Sequence, residues 1–233
     1  MSGTGLMMAA GITPIIPTVI QYVGFVDGGS PAGSTGSSFT FNSTNISGPG
    51  LIVISVSAEG STAAYTVTGV TVNGASATVV SNPTPVLGGN YTSAGLFQYV
   101  VASGTTANIV ATFSTTINRT RLGIWRITDY VSTTPIATST TNIPGGGTSI
   151  NTTLTSMQKG AAIVGVCTTG DVTPHTWTNL TENFDGAIAS SVVGTGTNAS
   201  GASGNAVNGN NITITTSAAS TGQALILTAA AWR

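Results

Sequence analysis

The sequence predicts an all-β protein: an antiparallel β-sandwich built from two similar halves behind an extended N-terminal arm. Three observations predict it. Apolar runs are short, rich in Val, Ile and Thr, and separated by clusters of Gly, Asn and Ser, which is how strands and turns read. No long segment sets apolar residues at helical spacing between a cap and a stop. The chain also matches itself, element by element, at a nearly constant offset.

That self-match starts with "GLIVISVSAEG" (residues 50–60) and "GAAIVGVCTTG" (160–170), two apolar runs closed by Gly at both ends. Downstream come "NIVATFS" (108–114) and "NITITTS" (211–217), and each half closes on Trp-Arg, at Trp125-Arg126 and Trp232-Arg233. Upstream, "FTFNSTNIS" (39–47) has a weaker counterpart in "TSINTTLTS" (148–156). The offset is 110 residues from Gly50 to Gly160 and 103 from Asn108 to Asn211. Residues 37–131 and 148–233 are therefore expected to be similar halves of one sandwich domain, 37–233. Each half carries few large apolar residues for a core of its own, so the expectation is a single shared apolar layer, about 10 Å thick, between them.

Residues 1–36 form the predicted arm. Within it, "LMMAAGITPIIPTVIQYVGFV" (6–26) is apolar, but no Lys or Arg precedes Arg119, so it lacks the basic region of a secretory signal. Pro14 and Pro17 break the run and argue against a membrane helix. An apolar arm needs something to bury it. Leu6, Ile12, Ile15, Ile16 and Val19 are the candidate partner-contact residues, because their exposure in a monomer leaves an apolar patch.

Further along, "GVTVNGASATVV" (69–80) places two alternating runs around Asn73-Gly74, the pair that supplies the positive φ angles of a type I′ turn. In "RTRLGIWRITDY" (119–130), the segment 122–128 reads as a central strand. Alternation puts Gly123, Trp125 and Ile127 on one face and Leu122, Ile124 and Arg126 on the other. Trp125 is then core, Arg126 reaches the rim along its stem, and Arg119 and Arg121 are solvated before the strand. Residues 132–149 are a polar, turn-rich join. "GTGTNASGASGNAVNGNN" (194–211) is too poor in apolar residues to pack and reads as a long loop.

Composition narrows the function. Only 5% of residues are charged, with 5 Lys and Arg against 6 Asp and Glu, where a soluble domain carries about 25%. Nucleic acid is not an expected partner, since its binding needs clustered cations. Nor is a membrane. The one cysteine, Cys167, forms no internal disulfide and sits in an apolar run as a small buried hydrophobe.

Catalysis finds few materials. The one histidine, His175, lies in "GDVTPHTWTNLTENFDG" (170–186) with Asp171, Glu182 and Asp185. A triad needs a serine on a sharp strand-to-helix turn, and no Gly-X-Ser-X-Gly pattern occurs. Metal sites need Asp-rich loops or clustered Cys and His, which the chain lacks. The expectation is a non-enzyme without catalytic residue, cofactor or metal.

At "GVTVNGASATVV", residues 95–130 and the closing "AAAWR", the chain resembles small Gly/Ser/Thr-rich β-sandwich proteins of tailed bacteriophages, over roughly residues 37–233. The resemblance implies a jelly-roll-like sandwich and a virion structural role, as a capsid decoration or cement protein on the capsid surface. Its partners are then the major capsid protein, copies of itself, or both, in a homo-oligomer. The alternative is a carbohydrate-binding or adhesive module of a phage tail or cell surface, with Trp177, Tyr91 and Tyr65 as candidate stacking residues.

Overall fold

Among the described residues the chain folds into eighteen strands and no helix, most of the strands being alternating or fully apolar runs. The structure, a computed structural model, describes residues 16–28, 35–60, 63–88, 90–188, 196–218 and 223–233. The first ten strands are β1 (Val19–Gly28), β2 (Gly36–Asn45), β3 (Gly50–Gly60), β4 (Val67–Val72), β5 (Ala75–Ser76), β6 (Thr78–Ser81), β7 (Val86–Gly88), β8 (Asn90–Val101), β9 (Thr106–Ile117) and β10 (Arg119–Thr128). The remaining eight are β11 (Ala137–Ile143), β12 (Ser149–Leu154), β13 (Ala162–Thr169), β14 (His175–Thr178), β15 (Thr181–Ala187), β16 (Asn198–Asn205), β17 (Ile212–Ala218) and β18 (Leu225–Trp232).

They make four antiparallel sheets. The first runs β1-β10-β3-β8-β6, with β7 also on β8, and the second runs β2-β9-β4-β5. The third runs β11-β18-β13-β16-β15, and the fourth β12-β17-β14. Thus β3 and β13, the two Gly-bounded runs, hold the middle of the first and third sheets, each flanked by a strand that carries the Trp of a Trp-Arg pair, Trp125 on β10 and Trp232 on β18.

Side-chain alternation decides which sheets meet. Ile52, Ile54 and Val56 of β3 join Phe39, Phe41, Ile109 and Phe113 in a cluster between the first and second sheets. Leu51 and Val53, on the opposite face of β3, join Trp125, Val164, Phe184, Ile226 and Trp232 between the first and third sheets. Two smaller clusters, around Leu154, Ile163 and Ile214 and around Ile150, Cys167 and Leu227, lie between the third and fourth sheets.

This corrects the expectation of a single shared layer. Each half has apolar residues of its own between two sheets, in addition to the layer between the halves. The physical reason lies in strands that are apolar on both faces: β3, β13 and β18 are buried along nearly their whole length and feed two layers at once.

Three further expectations change. Residues 19–28, assigned to the arm, are β1, which pairs along β10 from Val19 opposite Thr128 to Gly28 opposite Thr120. The polar join contains β11, the edge strand beside β18. The predicted loop 194–211 contains β16, a buried interior strand paired with both β13 and β15. Small residues suit that strand because the ring of Phe184 lies across it: a Cβ on Gly201 sits only 2.3 Å from Phe184 Cε1 and 2.9 Å from Trp125 Cη2.

Other expectations match. Asn73 and Gly74 both have positive φ, 50° and 84°, and close β4 onto β5. After two paired residues the chain leaves for the first sheet as β6, so the hairpin is shorter than the alternation suggests. The two faces of β10 divide as read, with Trp125 and Ile127 in the layer between halves and Leu122 and Ile124 in the first half's own cluster.

Candidate functional site

Two places gather polar or exposed groups that the packing alone does not require. One is the start of the described chain. Ile16 is 67% exposed and Val19 49% exposed, while Leu6, Ile12 and Ile15 lie outside the described residues. The backbone between them is held by the second half. Arg233 Nη1 donates to Ile16 O at 2.6 Å, Thr18 N donates to Gly160 O at 3.0 Å, and Asn205 Nδ2 donates to Thr18 O at 2.7 Å. Ser132 N donates to Arg233 O at 3.0 Å, so Val131, 82% exposed, is brought to the same terminus. Ile16, Val19 and Val131 thereby leave apolar surface around the last residue of the chain.

Close by, β1 lays its aromatic residues on the third sheet. Tyr22 packs on Trp125 and Phe184, and Phe25 on Phe184, at centroid distances of 5.7–6.0 Å. Burial raises the Tyr22 hydroxyl pKa to about 12, against an opposing pull from Arg121. The arginine cluster is structural. Arg121 is buried and pairs with Asp27, and Arg119 Nη2 lies 3.1 Å from the buried Glu59 carboxylate, so neither is free in solvent as expected. Arg126 does reach the rim, donating from Nε to Pro49 O at 2.7 Å.

The second place is a polar cluster between the third and fourth sheets. His175 on β14 faces Cys167 on β13 and Asp185 on β15. Asp185 Oδ2 accepts the His175 backbone N–H at 2.8 Å, and Oδ1 lies 3.2 Å from Nδ1. Asn198 Nδ2 donates to Thr173 O and to Asp185 Oδ1 at 2.7 and 2.8 Å, which occupies both its hydrogens. Asn198 then has none left for the imidazole, so Nδ1 carries the proton and gives it to Asp185. His175 Nε2 is buried without a hydrogen-bond partner that meets ordinary geometry. Burial opposes a charge on the ring, yet Cys167 and Asp185 together favour the imidazolium and raise the pKa to about 10. Glu182 is raised by burial and by the Asp185 charge.

These are the residue types of a nucleophile, a base and an orienting acid. Cys167 is fully buried and His175 is 3% exposed. Of the acids weighed from sequence, the fold brings Asp185 to the imidazole. The cysteine, read as a buried hydrophobe, is buried in an apolar cluster and also neighbours the ring. Among the described residues, no three His, Cys, Asp or Glu side chains converge as a metal site.

The candidate stacking aromatics are not open platforms. Tyr65 is buried, its hydroxyl donating to Ala58 O at 2.7 Å, and burial pushes its pKa well above the ordinary tyrosine range. Tyr91 is half-buried against the first half's cluster. Trp177 is half-buried against the second half's clusters and donates from Nε1 to Ser200 Oγ at 2.8 Å.

No family model matches the chain, and no curated protein matches it. Among solved structures it is similar to an anti-sigma factor domain-containing protein at 8% identity and a TM-score of 0.24, over 92% of this chain and 86% of that one. A likeness that low carries no argument about fold or function.

Proposed function

We propose that this is a non-enzymatic virion structural protein, a decoration or cement protein that seats on a phage head through its leading segment. In this reading the chain is two β-sandwich halves of one plan, stacked on a shared layer, with the same order of strands in the first and third sheets. Residues 1–15 are the docking arm, Ile16 and Val19 its root, and the major capsid protein or further copies of this chain its partners.

The observation that carries the reading is at that root. Ile16 has its backbone fastened to Arg233 while the residue is 67% exposed. With Val19 and Val131 also exposed, the apolar surface there supports a contact with another molecule. A chain with 5% charged residues supports the same reading, because many like copies can crowd together with little mutual repulsion.

The experiment removes residues 1–15 alone, since β1 belongs to the first sheet. The truncated protein is expected to keep its thermal transition and fail to bind heads assembled without it. Full occupancy of those heads by the truncated protein would overturn the assignment.

A further inference from the structure

A pocket of about 290 Å³ opens between the turn that joins β14 to β15 and the loop that joins β16 to β17. Five of its lining residues are asparagines: Asn179, Asn205, Asn208, Asn210 and Asn211. We propose that this pocket is a binding site for a neutral saccharide, one sugar ring in size, held by side-chain amides.

Those amides are held in place before any ligand arrives. A carboxamide has a donor end and an acceptor end, and no net charge. Three of the five are fixed by one end to the backbone. Asn179 Nδ2 donates to Thr213 O at 2.8 Å. Asn205 Nδ2 donates to Thr18 O at 2.7 Å and to Gly160 O at 3.3 Å. Asn211 Oδ1 accepts from Ser156 N at 3.1 Å. The other ends, Asn179 Oδ1, Asn205 Oδ1 and Asn211 Nδ2, have no hydrogen-bond partner among the described residues. The lining residues thus carry two acceptors and one donor on side chains already fixed at their other end, so a ligand that meets them need not freeze those rotamers on arrival.

The chemical class follows from what else lines it. No charged side chain does, which excludes recognition of phosphate or carboxylate by charge. Val207, 75% exposed, and Ile212 add apolar surface beside the amides. A ligand that fits has hydroxyls that both donate and accept, no charge, and a C–H face, which describes a sugar ring. The volume is at the lower end of small-ligand sites, which start near about 300 Å³, and suits one ring rather than a long chain.

This site does not include the aromatic residues weighed for sugar stacking, and it shares Asn205 with the contact that holds Thr18. The test uses the full chain, isotope-labelled, titrated with glucose, galactose, mannose and N-acetylglucosamine, and with glucuronate as the charged comparison. At least one neutral sugar is expected to shift the side-chain NH₂ signals of Asn179, Asn205 and Asn211 saturably, with affinity on the order of millimolar. Val207→Trp, at an exposed position, is expected to fill the pocket and abolish the shifts without moving the thermal midpoint. Asn211→Leu is expected to weaken binding about tenfold, as expected for one lost hydrogen bond. The proposal is overturned if no neutral sugar moves these signals, if Val207→Trp leaves the shifts intact, or if only glucuronate binds.

Discussion

Arg121 on β10 grips Asp27 on β1 with two parallel bonds, Nε to Oδ1 at 2.6 Å and Nη2 to Oδ2 at 2.8 Å. The same guanidinium crosses to the third sheet, donating to Gly186 O at 2.9 Å and Ala187 O at 2.8 Å, and its carbon lies 4.3 Å from the centre of the Phe25 ring. One side chain therefore ties the edge strand to its sheet and the first half to the second. Such a planar, multiply bonded site suits Arg and not Lys.

Arg121→Met keeps the apolar stem and removes every donor, leaving two β15 carbonyls stranded. Loss of one partner from a buried pair costs about 3–5 kcal/mol, and Asp27, 27% exposed, moderates this through its water contact, so about 3 kcal/mol is expected. Urea unfolding measures it. Asp27→Asn combined with Arg121→Met is expected to lose less than the sum of the two single changes, and strict additivity would show that the pair is not coupled.

Gly201 lies under Phe184, where an added Cβ meets Cε1 at 2.3 Å and Cζ at 2.7 Å. Gly201→Ala is expected to destabilise by about 2 kcal/mol through overpacking. Gly145→Ala meets nothing within 4 Å and is expected to change stability by less than about 1 kcal/mol. Thermal denaturation of the two variants side by side decides the matter; equal midpoints would mean that β16 does not pack as described.

That same strand shows where the sequence is legible and where it is not. Local periodicity reveals β10 and its two faces, because Leu122, Ile124, Trp125 and Ile127 carry their own apolar signal. In β16 the signal is missing: Gly201 lies under Phe184 and Trp125 on one face, and on the other Ala202 joins the cluster toward the fourth sheet while Ser200 meets Trp177, all partners distant in sequence. Residues 19–28 are apolar enough either to dock elsewhere or to pair with β10, and alternation cannot choose between those fates. The His175 cluster was partly visible as a stretch holding one histidine and three acids. That Cys167 and Asp185 are the groups facing it follows only from the pairing of β13, β15 and β16.

Gln98 on β8 also links the halves. Its Oε1 accepts the Trp232 indole N–H at 2.7 Å, and its Nε2 donates to Thr133 O at 2.8 Å in the join between halves. Gln98→Leu strands a fully buried indole donor, at an expected cost of about 2 kcal/mol. Trp232→Phe in the Gln98→Leu background removes the stranded donor, so a double-mutant cycle by urea unfolding is expected to show coupling of about 1 kcal/mol or more. Independent effects would deny that the bond holds the halves together.

His175 makes stability depend on pH in a definite direction. Its pKa rises from 6.5 to about 10 in the folded chain, so the folded state holds the proton more tightly than the unfolded state. The resulting stabilisation is complete below pH 6.5 and is lost as pH climbs through about 10. The charged groups facing the ring are Asp185 and Glu182 on β15, with the Cys167 thiol on β13. Urea midpoints at constant ionic strength are expected to fall steadily between those two pH values. In Asp185→Asn the amide oxygen can still accept the His175 backbone N–H, but the carboxylate charge is gone, so the decline is expected to flatten and to begin from a lower midpoint. A wild-type protein whose midpoint stays level across that window would show that the buried ring is neutral throughout, and that Asp185 only orients it.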